Sequence, residues 1–232
     1  MGKFVVAGGR TGIGQALVKR LNSAGHETIV FGRTPLGQSA ATTFFEVDFA
    51  NPAASLPMVS GPISGIAYLP GTIRLKPFRS LKAQDFLEDL QINTLGAIRL
   101  LQHLEGSLKA SGGGASVVLF STIAVQTGMP FHSSIAVAKG AIEGLARSLA
   151  AEWAPTIRVN VIAPSLTNTP LAAGMLSNEQ RKQASIDRHP LKRILEPDEP
   201  ASLAEWLLTG ASQSVSGRVF SLDAGIGTLK TG

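Results

Sequence analysis

Close to its start the chain reads Gly8-Gly9-Arg10-Thr11-Gly12-Ile13-Gly14, with glycines at the spacing Gly8, Gly12 and Gly14. Residues without a Cβ let the backbone come close to a pyrophosphate, and a helix beginning there offers free N–H groups and its positive dipole end to the anion. That chemistry is dinucleotide binding, with a ligand-free tight turn as the competing reading. Further on, Phe31-Gly32-Arg33-Thr34 stands where an NAD-binding chain usually presents an acid to the ribose 2′-hydroxyl. No acid is present there. A guanidinium pairs bidentately with a 2′-phosphate, and Arg10 can reach the same region. The expected cofactor is therefore NADP(H) rather than NAD(H), the alternative being that both arginines are solvated surface charges.

These residues need a scaffold, and the hydrophobic pattern supplies one. Lys3 to Ala7 is a short apolar run ending in glycines, and Ile13, Leu17 and Leu21 then fall on one helical face. Thr28–Phe31, Thr43–Val47, Gly65–Leu69, Ser116–Phe120, Arg158–Ile162 and Arg218–Leu222 read as further buried strands, mostly separated by helical patterns. Alternating strands and helices imply a parallel sheet covered on both faces. The expected fold class is α/β, a single-domain doubly wound parallel sheet of Rossmann type spanning residues 1–232. Pro52, Pro57 and Pro62 crowd the stretch between Asp48 and Gly65, so the third crossover should be abbreviated. Residues 170–200 contain Gly174, Pro190, Pro197 and Pro200 and follow a strand's carboxyl end, where open α/β sheets bind ligands. They are expected to form a substrate lid.

Composition excludes several classes. The 232 residues are 44% apolar and 16% charged, as in a globular domain rather than a disordered chain. There is no cysteine, so no disulfide framework, thiolate nucleophile or Cys-based zinc site exists, and no metal site is expected. The first strand begins almost at once, leaving no room for a signal peptide, and no apolar run approaches the roughly 20 residues of a membrane helix. A cytoplasmic protein is expected. The net charge of +5 favours anions, yet no helix carries a basic stripe with interleaved aromatics, so neither nucleic acid nor membrane is an expected partner.

Taken in order, these features resemble the short-chain dehydrogenase/reductase family over nearly the whole chain. Gly8-x-x-x-Gly12-x-Gly14 resembles its glycine motif, with Ala7 in place of a usual Thr, and Asp48 sits where an acid after the third strand contacts adenine. Tyr68-Leu69-Pro70-Gly71 occupies the place of Asn-Asn-Ala-Gly, keeping only Gly71. The resemblance gives Asn93 the part of a water-holding residue for proton relay, Thr122 that of a substrate-binding hydroxyl and Lys139 that of the lysine holding the nicotinamide ribose. Asn93 could alternatively cap or kink its helix. Arg158-Val159-Asn160-Val161-Ile162-Ala163-Pro164 and Thr169 resemble the segment cradling the nicotinamide, with Ser165 for a usual Gly. The family also implies a homodimer or homotetramer, and the helix Ser133 to Trp153 has apolar residues on more than one face, including Ile135, Ile142, Leu145 and Leu149.

One departure governs the chemistry. The family places a Tyr four residues before its Lys, made acidic by the neighbouring ammonium, and here that position is Ile135. Tyr68 is the sole tyrosine, and packing near the adenosine half is its stronger reading. His132, seven residues before Lys139 at a spacing where related enoyl reductases put their tyrosine, could donate a proton near neutral pH. Ser133 and Ser134 read as helix caps. The run Ile135-Ala136-Val137-Ala138-Lys139, with Ser148-Leu149-Ala150-Ala151-Glu152-Trp153, also resembles 2,4-dienoyl-CoA reductases, which lack the same Tyr but use one elsewhere; the matching place here is Ala124. Arg181, Lys182, Arg188, Lys192 and Arg193 could receive the phosphates of a CoA or carrier-protein thioester, or simply form a solvated helix face.

Two readings follow. The first is an NADPH-dependent oxidoreductase reducing a carbonyl or activated alkene of a small-molecule substrate, a thioester among the classes, with Asn93, Thr122 and Lys139 forming the site and His132 or water giving the proton. Hydride transfer needs mainly a positioned nicotinamide, and orientation supplies much of the barrier reduction. The second is a catalytically inactive protein that binds or senses NADP(H).

Overall fold

The computed structural model describes residues 1–35 and 42–230. The chain order is β1 (Lys3–Ala7), α1 (Gly12–Ser23), β2 (Glu27–Gly32), β3 (Thr42–Glu46), β4 (Gly65–Tyr68), α2 (Ala83–Leu90), α3 (Gly96–Lys109), β5 (Ala115–Phe120), the single turn α4 (Ala124–Thr127), α5 (Ser133–Glu152), β6 (Ile157–Pro164), α6 (Glu179–Arg188), α7 (Asp198–Leu208) and β7 (Val219–Leu222). The seven strands form one sheet in the order β3-β2-β1-β4-β5-β6-β7 with every pairing parallel. The expected doubly wound α/β domain is what the sequence folds into, though residues 36–41 and 231–232 of that span lie outside the described residues.

Alternation along the strands explains the layers. Val5 and Ala7 of β1, with Val117 and Leu119 of β5, point to the face covered by α3 and α5 through Leu100, Leu104, Leu108, Ile142 and Ala146. Phe4, Val6, Val118 and Phe120 point the other way, against Leu17 and Leu21 of α1 and Leu207 and Leu208 of α7. With both faces dry, central strands such as β5 are buried at every position, as parallel strands should be. Strand order reverses between β1 and β4, opening a crevice at their carboxyl ends.

The third crossover is abbreviated as its prolines require. No helix lies between β3 and β4 among the described residues. The segment is instead held by side chains of α3: Arg99 donates to the carbonyl of Asn51 at 3.0 Å and also to that of Ala54, and His103 Nε2 lies 3.0 Å from the Pro57 carbonyl. Between α2 and α3 the helix widens into a five-residue π turn, Gln91–Leu95. Such a bulge leaves a carbonyl without its regular partner, and the buried Tyr68 hydroxyl donates to the carbonyl of Ile92 at 2.6 Å. Burial pushes that phenol upward in pKa. The ring needs Gly96 beside it, because a Cβ there would stand 2.2 Å from the Tyr68 hydroxyl.

Tyr68 and Gly96 should therefore be energetically coupled. Gly96→Ala is expected to destabilise the fold by about 2 kcal/mol through overpacking, and Tyr68→Phe by about 1–3 kcal/mol by orphaning a buried carbonyl. Urea unfolding of the double variant should show a loss clearly smaller than the sum, since the phenylalanine leaves room for the new methyl group.

Candidate cofactor and active site

The glycine loop sits in the crevice between β1 and β4. Gly8 and Gly12 have φ of +78° and +54°, a region closed to most side chains. Gly14 is required by proximity instead, since a Cβ there would lie 2.2 Å from the carbonyl oxygen of Gly8. The residue preceding α1, Thr11, makes no side-chain capping bond, and no acid occupies the first turn. The start of α1 therefore has no side-chain cap or acid to complement its N–H groups, the arrangement an anion can use. Thr169 arrives from across the crevice, its Cγ2 2.9 Å from where a Gly12 Cβ would be.

Arg10, Arg33 and Thr34 are all exposed, and neither arginine has a hydrogen bond or ion pair among the described residues. Arg10 and Pro35 stand at the rim of a groove of about 1230 Å³ that runs along α1 past Lys19 to Asp198. Asp48 is also exposed, and its Oδ1 accepts the backbone N–H of Ala50 at 3.0 Å.

At the other end of the crevice, two predicted residues, Asn93 and Lys139, converge on a third, Gly71. A Cβ on Gly71 would lie 3.0 Å from Asn93 Oδ1 and 3.4 Å from Lys139 Nζ, so amide oxygen and ammonium border one small space. Lys139 is 7% exposed, and Nζ donates to the Phe120 carbonyl at 2.8 Å. Desolvation lowers its pKa from 10.5 to about 8. No carboxylate forms an ion pair with it among the described residues. Thr94 Oγ1 donates to the Ala138 carbonyl at 2.8 Å, tying the π turn to α5 next to the lysine.

Asn93 is fully buried inside the π turn, where the helix departs from regular winding. Its Nδ2 donates to the Asp89 carbonyl at 2.8 Å and to Thr72 Oγ1 at 2.9 Å, leaving buried Oδ1 without a partner among the described residues. Thr72 in turn donates to Asp89 Oδ1 at 2.7 Å. Arg74 then joins Asp89 at 3.6 Å to Glu88 at 2.6 Å and to Asp85. The Lys82 backbone N–H, followed by the Lys76 ammonium, holds the Asp85 carboxyl down to about 2. This chain orients the Asn93 amide with its oxygen toward the site. Thr72 and Asp89 were not singled out in the sequence, although Asp85, Asp89 and Asn93 at four-residue spacing form a polar stripe on a buried helix face.

The remaining candidates divide. Thr122 stands two residues past the end of β5 and is half-buried, with Oγ1 weakly accepting the Ala124 N–H at 3.4 Å; the Pro164 carbonyl accepts the Ile123 N–H of the same loop at 3.3 Å. Next to it, Ser121 donates to the buried carboxylate of Glu143 at 2.7 Å. His132 turns back on its own loop, Nδ1 2.8 Å from the Pro130 carbonyl, and no hydrogen bond joins it to Asn93, Thr122 or Lys139 among the described residues. The serine caps do not form: His132 takes the position before α5, and the Ser134 hydroxyl is buried without a partner. Ile135 is buried, as are Ile142 and Ala124, while Leu145 and Leu149 pack partly against the core. Val137 is the exposed apolar residue of α5.

Beyond β6 the chain leaves at Thr167 and returns at Leu195, the two joined in a parallel bridge. The excursion contains a 3₁₀ segment, Pro170–Leu176, and α6. It ends sooner than residue 200, because α7 begins at Asp198 and buries Pro200 against the sheet. Its base is held by His189, whose Nδ1 donates to the Ser185 carbonyl at 2.7 Å, leaving Nε2 to accept Ser165 Oγ at 3.1 Å in the neutral ring. Its cations are largely used locally. Arg193 pairs with Glu199, Lys192 donates to the Asp187 carbonyl at 2.8 Å, and Arg181 folds onto Gly174 and Ser177 at 3.2 and 3.1 Å.

An open helix start, a loop no Cβ would fit and an ammonium beside an unpartnered amide oxygen together suit an anionic dinucleotide bearing hydroxyl groups. No helix of the described residues is long and apolar enough to cross a membrane. A family model described as enoyl-(acyl carrier protein) reductase matches residues 7–227. A tropinone reductase homologue of Arabidopsis thaliana is 32% identical over 240 residues, covering 96% of this chain and 91% of its own. Among solved structures, a short-chain type dehydrogenase/reductase from Mycobacterium ulcerans is 25% identical with a TM-score of 0.85, covering 97% of this chain and 89% of that one. A 4-hydroxyisoleucine dehydrogenase complexed with NADH has a TM-score of 0.89 at 18% identity over 99% of this chain and all of that one, a likeness of fold.

The buried ammonium leaves a mark on stability. Its folded pKa of about 8 lies below the ordinary 10.5, so between these values the unfolded chain holds more protons and stability rises with pH. Below pH 8 both states are charged and the cost of burial is constant. Relative to Lys139→Met, the wild-type protein should gain up to about 3 kcal/mol from pH 8 to 10.5. Denaturant melts across that range check it; a flat difference would mean the ammonium is not desolvated.

Proposed function

The chain belongs to the short-chain dehydrogenase/reductase family, and we propose that it is an NADPH-dependent oxidoreductase that reduces a carbonyl or activated alkene from an atypical active site. The carrying observation is the convergence of Lys139 Nζ and Asn93 Oδ1 on Gly71, in the same crevice as the uncapped glycine loop. A family member binds a nicotinamide dinucleotide, and the bound reduced form supplies hydride. Gly8, Gly12, Ile13 and Gly14 would hold its pyrophosphate, Asp48 would serve its adenine, and Pro164 and Thr169 its nicotinamide end. Lys139 would direct one free N–H at a ribose hydroxyl, leaving another uncommitted, Asn93 would offer its oxygen to a water, and Thr122 would donate to the substrate oxygen.

The preference for NADP(H) is supported by two arginines, Arg10 and Arg33, that have no partner among the described residues, and by the absence of an acid at the end of β2. A 2′-phosphate gains charge-assisted bonds there, whereas a free 2′-hydroxyl finds no carboxylate. The excursion from Thr167 to Leu195 is read as the substrate lid. Its cations favour no thioester in particular, since most already have local partners. Leu87, Leu95 and Val137 form exposed apolar ground on α2, the π turn and α5, in keeping with a homodimer or homotetramer. A cysteine-free chain suits the cytoplasm.

Buried Ile135, with no polar atom where the family has its phenol, favours a second reading in which the protein binds NADP(H) without turnover. Absorbance-monitored NADPH oxidation against ketones, quinones and enoyl thioesters, with binding measured in parallel, separates the two. Multiple turnover is expected; binding with no turnover on any substrate would favour the sensing reading. Arg33→Asp combined with Arg10→Ala should weaken NADPH binding tenfold or more while leaving NADH within about threefold, measured by fluorescence titration.

A further inference from the structure

We propose that Lys139 is itself the proton donor of the reduction, its ammonium taking the part that a phenol at Ile135 would otherwise play. This rests on the reductase reading and goes beyond it, since holding the cofactor's ribose requires only that the lysine donate hydrogen bonds.

The other acids of the region are otherwise engaged. The Tyr68 hydroxyl is buried and committed to the Ile92 carbonyl at 2.6 Å. His132 has Nδ1 on the Pro130 carbonyl and no hydrogen bond to the site among the described residues. Glu143, on the same helix as Lys139, takes the Ser121 hydroxyl at 2.7 Å. On α2, Asp89 is held by Thr72 and Arg74, and Asp85 by Lys82, Lys76 and Arg74. Thr122 can direct a hydroxyl at the substrate oxygen, but an aliphatic alcohol is too weak an acid to surrender its proton at neutral pH.

Lys139 meets the geometric requirements. An ammonium carries three protons, and only one is used, toward Phe120 at 2.8 Å. The nitrogen borders the space over Gly71 that it shares with Asn93 Oδ1. Ile135, one turn earlier on the same face, presents no polar atom to compete for its protons. Among the described residues no carboxylate pairs with the ammonium, and the Phe120 carbonyl is its one hydrogen-bond acceptor. Burial brings the group to about 8, a range in which an acid both carries its proton and releases it readily.

The step balances. Hydride from the reduced nicotinamide forms a C–H bond as the carbonyl π bond breaks onto oxygen. One N–H bond of Lys139 breaks and an O–H bond forms, leaving alcohol, oxidised cofactor and a neutral amine that regains its proton from water before the next cycle.

The test uses the full chain with NADPH and the best ketone from the panel. Wild-type kcat should be level at lower pH and fall about tenfold per pH unit above about 8. Lys139→Arg keeps a cation and its hydrogen bonds but cannot give up a proton; it should bind NADPH within about threefold of wild type and lose turnover at least 100-fold. Independently of turnover, ¹³C NMR of ε-labelled lysines should show one resonance titrating near 8 that is missing from Lys139→Arg. Retained activity in Lys139→Arg, a wild-type profile without an inflection between pH 7 and 9, or a tenfold loss in His132→Ala would each overturn the proposal. If wild type binds NADPH but turns nothing over while Ile135→Tyr does, the lysine is not a sufficient acid and the cofactor site still stands. If NADPH does not bind at all, the reductase reading falls first.

Discussion

The ammonium of Lys139, buried with a single protein acceptor, is the constraint that the rest of the active end accommodates. To place it there, α5 must lie on β5 so that Nζ reaches the Phe120 carbonyl, and Ala138 and Ala146 are small enough for such an approach. Helix and π turn are then locked by Thr94 on the Ala138 carbonyl. A buried charge lacking a counter-ion costs stability, and a fold selected for stability alone would not keep it. Its retention beside an unpartnered amide oxygen points to a use in chemistry.

The π turn is the second constraint, and it shows how backbone bookkeeping places a side chain. Widening the helix at Gln91–Leu95 turns Asn93 inward but strands carbonyls, and each finds a specific donor. Tyr68 serves Ile92, and Asn93 itself serves Asp89. The phenol that family comparison would look to for chemistry is thereby structural, its place secured by the absent side chain of Gly96. The chain's one tyrosine is committed to the Ile92 carbonyl of the turn that carries the asparagine.

Much of this was legible without coordinates. The apolar runs of the five inner strands were legible because parallel strands buried on both faces must be nearly continuously apolar, while the edge strands β3 and β7 have no fully buried position. Three prolines between Asp48 and Gly65 did exclude a crossover helix. Other features were not legible. Ser133 and Ser134 read as caps by type, yet the chain enters α5 one residue earlier, leaving the Ser134 hydroxyl inside. His132 was suggested by spacing, but a positive φ at Phe131 directs the loop so that the imidazole returns to Pro130. Asp89 and Thr72 are ordinary polar residues in the sequence, and only their convergence from α2 and from the loop after β4 makes them a unit.

By itself the sequence determined the fold class, the glycine loop, the lack of an acid after the second strand and an isoleucine four residues before Lys139, since these depend on residue type and local spacing. The tertiary structure alone decided which polar groups meet. Lys139, Asn93 and Gly71 come from three separate parts of the chain and share a boundary only because β4 and β5 are neighbours and α5 packs beside the π turn. Desolvation of the lysine is likewise a property of everything packed around it, which no window of sequence contains.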